Sequence, residues 1–384
     1  MDLTLSLTHD CNLACTYCYA GPKRHTSMTM ETAMRAIDFA FAIPALTRQL
    51  GFFGGEPLLE WELLRASADY AAAVAGRLGF TFKKTVTTNA TLLTEDKAAW
   101  LRQNAFWLGL SIDGNRAMHD ITRPLRGGGS SFDAVIRGLD VALAFFPDLE
   151  VIVVPDPSNI AHLADAVQFL AEEKRVMRIA INPNFYTDWP EQALEQWQAT
   201  FQAIGKFYIA RYRDNRALAI NFIDGKIITR LKDGFEACDH CSFGEREIAV
   251  APSGNIYPCE RLVADDRHME MCIGTVFDGF YEDKRRRILQ KRGNVNAECS
   301  ACAIRHRCMN WCCCINYAMT GAIDATDGIL CFHERSAIAV ADQVAETLYN
   351  ESNPSFLSRF YYERQNSEPH AAAEIAIPQR TTPA

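Results

Sequence analysis

Apolar and polar residues alternate through Leu3-Thr4-Leu5-Ser6-Leu7-Thr8, the period-two pattern of a strand with one buried face. The period then lengthens. Met30, Met34, Ile37 and Phe41 recur at helical spacing and predict a helix over 29–42. A short apolar run over 50–53 stops at Gly54-Gly55 and reads as a second strand. The unit repeats: helix 59–76, strand 81–87, helix 94–104, strand 107–112, helix 131–145, strand 149–154, helix 159–174, strand 177–182 and a long helix over 191–212. Strands alternating with helices predict right-handed βαβ units on a parallel sheet, with six strands before residue 190. In such folds functional groups collect at the C-terminal ends of the strands. Those ends carry the first cysteines, Gly54-Gly55-Glu56-Pro57, Thr87-Thr88-Asn89, Ser111-Ile112-Asp113-Gly114 and Asn182-Pro183-Asn184. Each is an ordinary turn sequence on its own. Their joint position after successive strands points to a polar ligand.

Chemistry enters with the cysteines. Fourteen occur in 384 residues, three before residue 20 and eleven from 238 to 331, with none between Tyr19 and Ala237. The N-terminus, Met1-Asp2-Leu3-Thr4-Leu5-Ser6-Leu7, has neither the basic region nor the cleavage site of a secretory signal. The expectation is a cytoplasmic protein whose thiols stay reduced, so metal or cluster ligation explains them better than disulfides. A net charge of 39 − 47 = −8 argues against a nucleic-acid partner. No apolar run reaches the roughly 18–20 residues that span a bilayer, so no membrane partner is expected.

Cys11, Cys15 and Cys18 are spaced C-x3-C-x2-C directly after the first strand, with no fourth cysteine nearby. A cubane [4Fe–4S] cluster ordinarily takes a thiolate on every iron, so a triad leaves one iron open. Together with Tyr17 before the last cysteine and Gly54-Gly55-Glu56-Pro57 after the second strand, these residues resemble the radical S-adenosylmethionine (SAM) superfamily. The resemblance implies an α/β fold with a partial (β/α)6 TIM-like barrel, which agrees with the strand count. It implies that the open iron binds the amino and carboxylate groups of SAM. An electron from the cluster then splits the sulfonium, and the 5′-deoxyadenosyl radical takes a hydrogen atom from the substrate. By the same resemblance Cys11, Cys15 and Cys18 ligate this cluster, and Tyr17 belongs to the cofactor site. Gly54, Gly55 and Glu56 resemble the segment that holds the methionine amino group. Ser111 and Arg123 resemble a pair that contacts the SAM carboxylate, a task suited to a permanently charged, two-pronged guanidinium; the plain alternative for Arg123 is a solvated loop residue. Thr88 and Asn89 would lie near the ribose. Ala90 stands where the family often has glycine, so a different local backbone is expected there.

The second cysteine group reads Cys238-x2-Cys241-x12-Gly254-x4-Cys259, then Cys299-x2-Cys302-x5-Cys308-x3-Cys312, then Cys331. It resembles the SPASM extension, which carries two auxiliary [4Fe–4S] clusters, for three in all. The resemblance assigns Cys241, Cys259 and Cys312 to the first, with Cys238 as candidate fourth ligand, and Cys299, Cys302, Cys308 and Cys331 to the second. If Cys238 does not ligate, the first cluster has an open iron for substrate. Cys272, Cys313 and Cys314 are surplus. They read as buried small hydrophobes, or as exchange ligands around Cys312–Cys314. Structural zinc would explain the C-terminal group alone but not the N-terminal triad.

The expected organisation is a radical SAM domain over 1–215, a linker over 216–236, a SPASM domain over 237–364 and a disordered tail over 365–384. Glu260, next to Cys259, is a candidate catalytic base, or else the ion-pair partner of Arg261. Lys284-Arg285-Arg286-Arg287 reads as a solvated helix face, and Gly127-Gly128-Gly129 as a flexible loop. The resemblance implies a radical SAM oxidoreductase that modifies a residue of a ribosomal precursor peptide, forming a carbon–carbon or thioether crosslink. The alternatives are an anaerobic sulfatase maturase making formylglycine and an enzyme acting on a small metabolite. Expected partners are a peptide or protein substrate and a flavodoxin- or ferredoxin-like electron donor. With the first strand starting at residue 3, no N-terminal leader-binding domain is expected.

Overall fold

The computed structural model describes residues 1–267, 269–292 and 297–366. β1 (Asp2–Ser6), β2 (Gln49–Phe53), β3 (Lys83–Thr88), β4 (Phe106–Ser111), β5 (Glu150–Val153), β6 (Arg178–Ile181) and β7 (Ala219–Ile220) lie side by side in chain order. All neighbouring pairs among them are parallel. Helices return the chain after each of β1 to β6, which makes the partial barrel that the alternating pattern predicts. Leu3 and Leu5 of β1 point into the core and are fully buried. Threonines fix two helix starts: the Thr29 hydroxyl accepts from Thr32 N ahead of Met30–Ala42, and Thr94 accepts from Lys97 N ahead of Glu95–Gln103.

Two stretches differ from expectation. A short helix, Arg116–Thr122, capped by Asn115, fills what reads as loop. The stretch taken as a linker, 216–236, holds β7 and the helix Asn221–Leu231, with Phe222, Ile223 and Ile227 buried. These pieces are short, and packing rather than periodicity decides them. Of the tail expected to be disordered, residues from 367 lie outside the described ones, and 365–366 end the helix Pro354–Asn366.

The cysteine-rich half is stitched to the barrel on two sides. β8 (Glu247–Val250) pairs in parallel with the outer edge of β1, Leu3 opposite Ile248 and Leu5 opposite Val250. β9 (Asn255–Tyr257), β10 (Gly274–Thr275) and β11 (Gly279–Phe280) continue the sheet in antiparallel pairs. On the other side the helix Gly328–Asn350 packs against Glu191–Arg213 and Asn221–Leu231. One hydrophobic core runs through both halves. Among the described residues no helix is long and apolar enough to cross a membrane.

Candidate functional site

The strand ends open into a cavity of about 220 Å³. Cys11, Cys15, Cys18, Tyr17, Gly54, Gly55, Glu56, Thr88, Asn89, Ser111, Arg123 and Glu260 all line it. The structure therefore brings the residues expected around the first cluster and SAM together with Glu260. Cys11 is buried, and burial pushes its thiol up to about 11. Leu13 N donates to its sulfur at 3.4 Å, and Lys23 Nζ donates to Cys18 Sγ at 2.8 Å.

The glycine pair serves the loop that carries these thiols. Gly55 N donates to Thr8 O at 2.7 Å and Glu56 N to Asp10 O at 2.9 Å, zipping the segment after β2 onto the loop after β1. Gly54 has φ +127°, and a Cβ on Gly55 would lie 1.9 Å from Asp10 O. No side chain fits at that approach.

Glu56 is buried, and its carboxylate is committed to the strand ends. Oε1 accepts from Thr88 Oγ1 at 2.6 Å and Leu58 N at 2.9 Å, while Oε2 accepts from Asn89 N at 2.8 Å. Burial raises its pKa, and these donors pull it back. A carboxylate offers roughly four acceptor positions, so one is left. Ala90 has φ 65°, the left-handed conformation a glycine would adopt, so the alanine leaves the turn intact. The expected local departure is a cost in strain rather than a change of path.

Across the cavity, Arg123 Nη1 donates to Tyr17 OH at 2.6 Å, and Tyr17 OH donates to Asp113 Oδ2 at 2.7 Å. Asp113, legible in the sequence only as a turn residue, is fully buried and also accepts from Thr122 Oγ1 and Val154 N. Behind it runs a chain with a defined direction. Ser131 Oγ donates to Arg123 O, so His119 Nε2 must donate to Ser131, which leaves Nδ1 to accept from Asp113 N. His119 is thus neutral, and burial holds its pKa down at about 3. Arg123 is buried, not solvated, and its Nε has no partner among the described residues.

The remaining wall comes from the C-terminal half. The Arg261 guanidinium lies 5.1 Å from the centre of the Tyr19 ring, and Tyr19 stacks on Phe53 and Tyr186, both at 6.0 Å. Burial raises the pKa of Glu260, and Arg261 lowers it. Sequence reasoning missed Lys23, Tyr19 and Tyr186, since a lone basic or aromatic residue carries no spacing signal.

A family model described as the radical SAM superfamily matches residues 5–170. Those residues form a radical SAM domain. It is similar to the serine-type anaerobic sulfatase-maturating enzyme of Klebsiella aerogenes, 24% identical over 312 residues, which span 79% of this chain and 76% of that one. Its fold matches the structure of anSMEcpe with bound AdoMet, TM-score 0.78 at 18% identity, over 91% of this chain and 99% of that one. It also matches Streptococcus suis SuiB bound to precursor peptide SuiA, TM-score 0.57 at 15% identity, over 86% and 75%. The residues of this radical SAM protein fit the cluster and SAM that the superfamily implies. Three thiols share one cavity, a buried guanidinium keeps a free donor, and a buried carboxylate keeps an acceptor.

The auxiliary cysteines fall into two places. Cys299, Cys302, Cys308 and Cys331, the set that the resemblance assigns to one cluster, line a separate cavity of about 90 Å³ with Glu334 and Arg335. There, Lys226 Nζ meets Glu334 Oε2 at 2.6 Å, with both side chains buried, and Lys226 also donates to Arg307 O. Elsewhere, Cys259 and Cys312 are buried and Cys241 is half-buried with its thiol on Glu247 Oε2. Cys238 is exposed, and its thiol donates to Glu236. The basic run is held locally: Arg285 donates to Gly244 O and Arg286 to Asp283.

Proposed function

We propose that this radical SAM protein is a maturase that oxidises one residue of a peptide or protein substrate and joins it to a neighbour through a carbon–carbon or thioether bond. The observation that carries the reading is that Glu260, adjacent to Cys259, lines the same cavity as Cys11, Cys15 and Cys18. A base and the site of activation thus border one space, and the residue next to that base in the chain is a candidate auxiliary ligand. Cys11, Cys15 and Cys18 would hold the SAM cluster, and the other cysteine sets two further [4Fe–4S] clusters. Loaded, these cofactors supply abstraction of a hydrogen atom and a sink for the electron left behind, with a flavodoxin- or ferredoxin-like protein as reductant.

The chain's own residues then orient and exclude. The glycine pair would let the backbone approach the amino group of SAM, and the acceptor position left on Glu56 would take a hydrogen bond from it. Ser111 and Arg123 meet its carboxylate; Tyr17 and Asp113 keep the guanidinium aimed. Thr88 and Asn89 border the ribose. Glu260 accepts the proton released as the new bond forms, and Tyr19, Tyr186 and Arg261 exclude water around it.

A second reading, formylglycine formation from serine or cysteine, is favoured by the Klebsiella maturase matched over 79% of this chain. The two are separated by incubating the reduced, reconstituted enzyme with a candidate precursor peptide and with a sulfatase-derived peptide. A crosslink gives loss of a pair of hydrogens and no fragmentation between the joined residues. Formylglycine gives a product that a hydrazide captures. SAM cleavage with neither product on any peptide would sink both.

A further inference from the structure

Three cysteines are left over by the spacing of the C-terminal set, and the structure treats them differently. Cys272 Sγ donates to Gly274 O at 3.2 Å and Cys313 Sγ to Trp311 O at 3.6 Å, the contacts of buried thiols that only pack. Cys314 is different. It is buried, its sulfur lies 3.6 Å from Cys312 Sγ, and it is also hydrogen-bonded to Cys259. It therefore bridges two of the cysteines assigned to the first auxiliary cluster. The third, Cys241, lies within electrostatic reach of Cys312.

Cys238 is held the other way. It sits in the exposed turn Ala237–Asp239, which is closed by a reciprocal cap between Glu236 and Asp239. Lys232 pairs with both acids, at 3.8 and 3.6 Å. Cys238 is thus held in an exposed polar turn, whereas Cys259 and Cys312 are buried. Cys314 needs only a side-chain rotation to part from Cys312 when iron enters.

We propose that Cys314, not Cys238, completes the thiolate set of the first auxiliary cluster with Cys241, Cys259 and Cys312. This rests on the three-cluster reading above. The cluster is then fully ligated by protein and has no iron open to substrate, so it serves as an electron acceptor only. Cys314 also lies within electrostatic reach of Arg261 and Tyr186, both on the wall of the SAM cavity.

The test uses the full chain, reconstituted anaerobically with iron and sulfide, as wild type, Cys238→Ala, Cys314→Ala and Cys314→Ser. Wild type should hold about twelve irons, some four per cluster. Cys238→Ala should keep that content and the wild-type electron paramagnetic resonance spectrum. Cys314→Ala should lose up to about four irons or gain a three-iron signal, while the SAM-dependent change in the N-terminal cluster's spectrum persists as proof of a folded barrel. Cys314→Ser, nearly isosteric, should keep the fold and shift the auxiliary signal, which a packing role would not do. Loss of a cluster in Cys238→Ala with wild-type iron and spectra in both Cys314 variants overturns the proposal. A wild type holding only about four irons would instead overturn the three-cluster reading beneath it.

Discussion

At the barrel mouth one loop carries all three thiols, and what surrounds them arrives on strand ends whose spacing the sheet fixes. Glu56, Thr88, Asn89, Ser111 and Arg123 come from successive units, and backbone hydrogen bonds from Gly55 and Glu56 lock the thiol loop in place. In the C-terminal half the cysteines come from turns and helix starts, with little sheet to order them. Side chains do that work instead: the buried Lys226–Glu334 pair, and Arg307 forked onto Asp342 at 2.6 and 2.9 Å. The first site is preorganised by topology, while the second depends on a few buried charges and, on the proposed reading, on the iron it would hold. Where ligands are far apart in sequence and few other contacts hold them, metal binding and folding become one event.

The sharpest way to break this contrast is Lys226→Ala. It strands Glu334, which is 1% exposed, without its cation and should cost about 3–5 kcal/mol. Denaturation followed by auxiliary-cluster absorbance should show an early transition, with the N-terminal cluster lost at its usual midpoint. A single transition shifted as a whole would mean that the halves share one cooperative unit. Gly55→Ala attacks the other side. Its Cβ would overlap Asp10 O, and pushing the thiol loop away should cost about 3 kcal/mol. SAM should then no longer perturb the N-terminal cluster's spectrum, while the auxiliary irons stay.

Acid should weaken both halves, since burial holds His119 down at about 3 in the barrel and His333 at about 4 in the C-terminal half. The folded chain keeps His119 neutral down to about 3, whereas the unfolded chain protonates it below about 6.5. Its contribution is complete above that value and is lost as pH falls, by about 2 kcal/mol between pH 7 and pH 5. Urea midpoints against pH should show this slope, and His119→Gln should flatten it. The smallest effect is a gain. Ala90→Gly relieves a left-handed alanine and should raise the urea midpoint by the equivalent of up to about 1 kcal/mol.

The same contrast explains what the sequence made legible. The barrel announces itself because each strand is half-buried and each helix amphipathic, so periods of two and 3.6 alternate along the chain. Its site follows from knowing where strand ends meet. Asp113 escaped because its carboxylate acts through tertiary partners, Tyr17 and Thr122, that no local pattern links to it. The C-terminal half has no such rhythm. There the resemblance carried by the cysteine spacing, not a local rhythm, grouped the four residues that share the second cavity. Spacing cannot say which of Cys312, Cys313 and Cys314 turns its sulfur toward Cys259, because that depends on how the helix Cys313–Thr320 is rolled against its neighbours.

The parallel pairing of β8 with β1 has a temporal side. A chain synthesised from its N-terminus presents β1 and the thiol loop long before β8 exists, and until then one edge of β1 carries unpaired backbone groups. Contacts between such distant segments form late and slowly. Iron delivered early would meet a nest with an unfinished wall, lacking Glu260 and Arg261. Completion of the cavity around the first three thiols is thereby timed by the arrival of the C-terminal half.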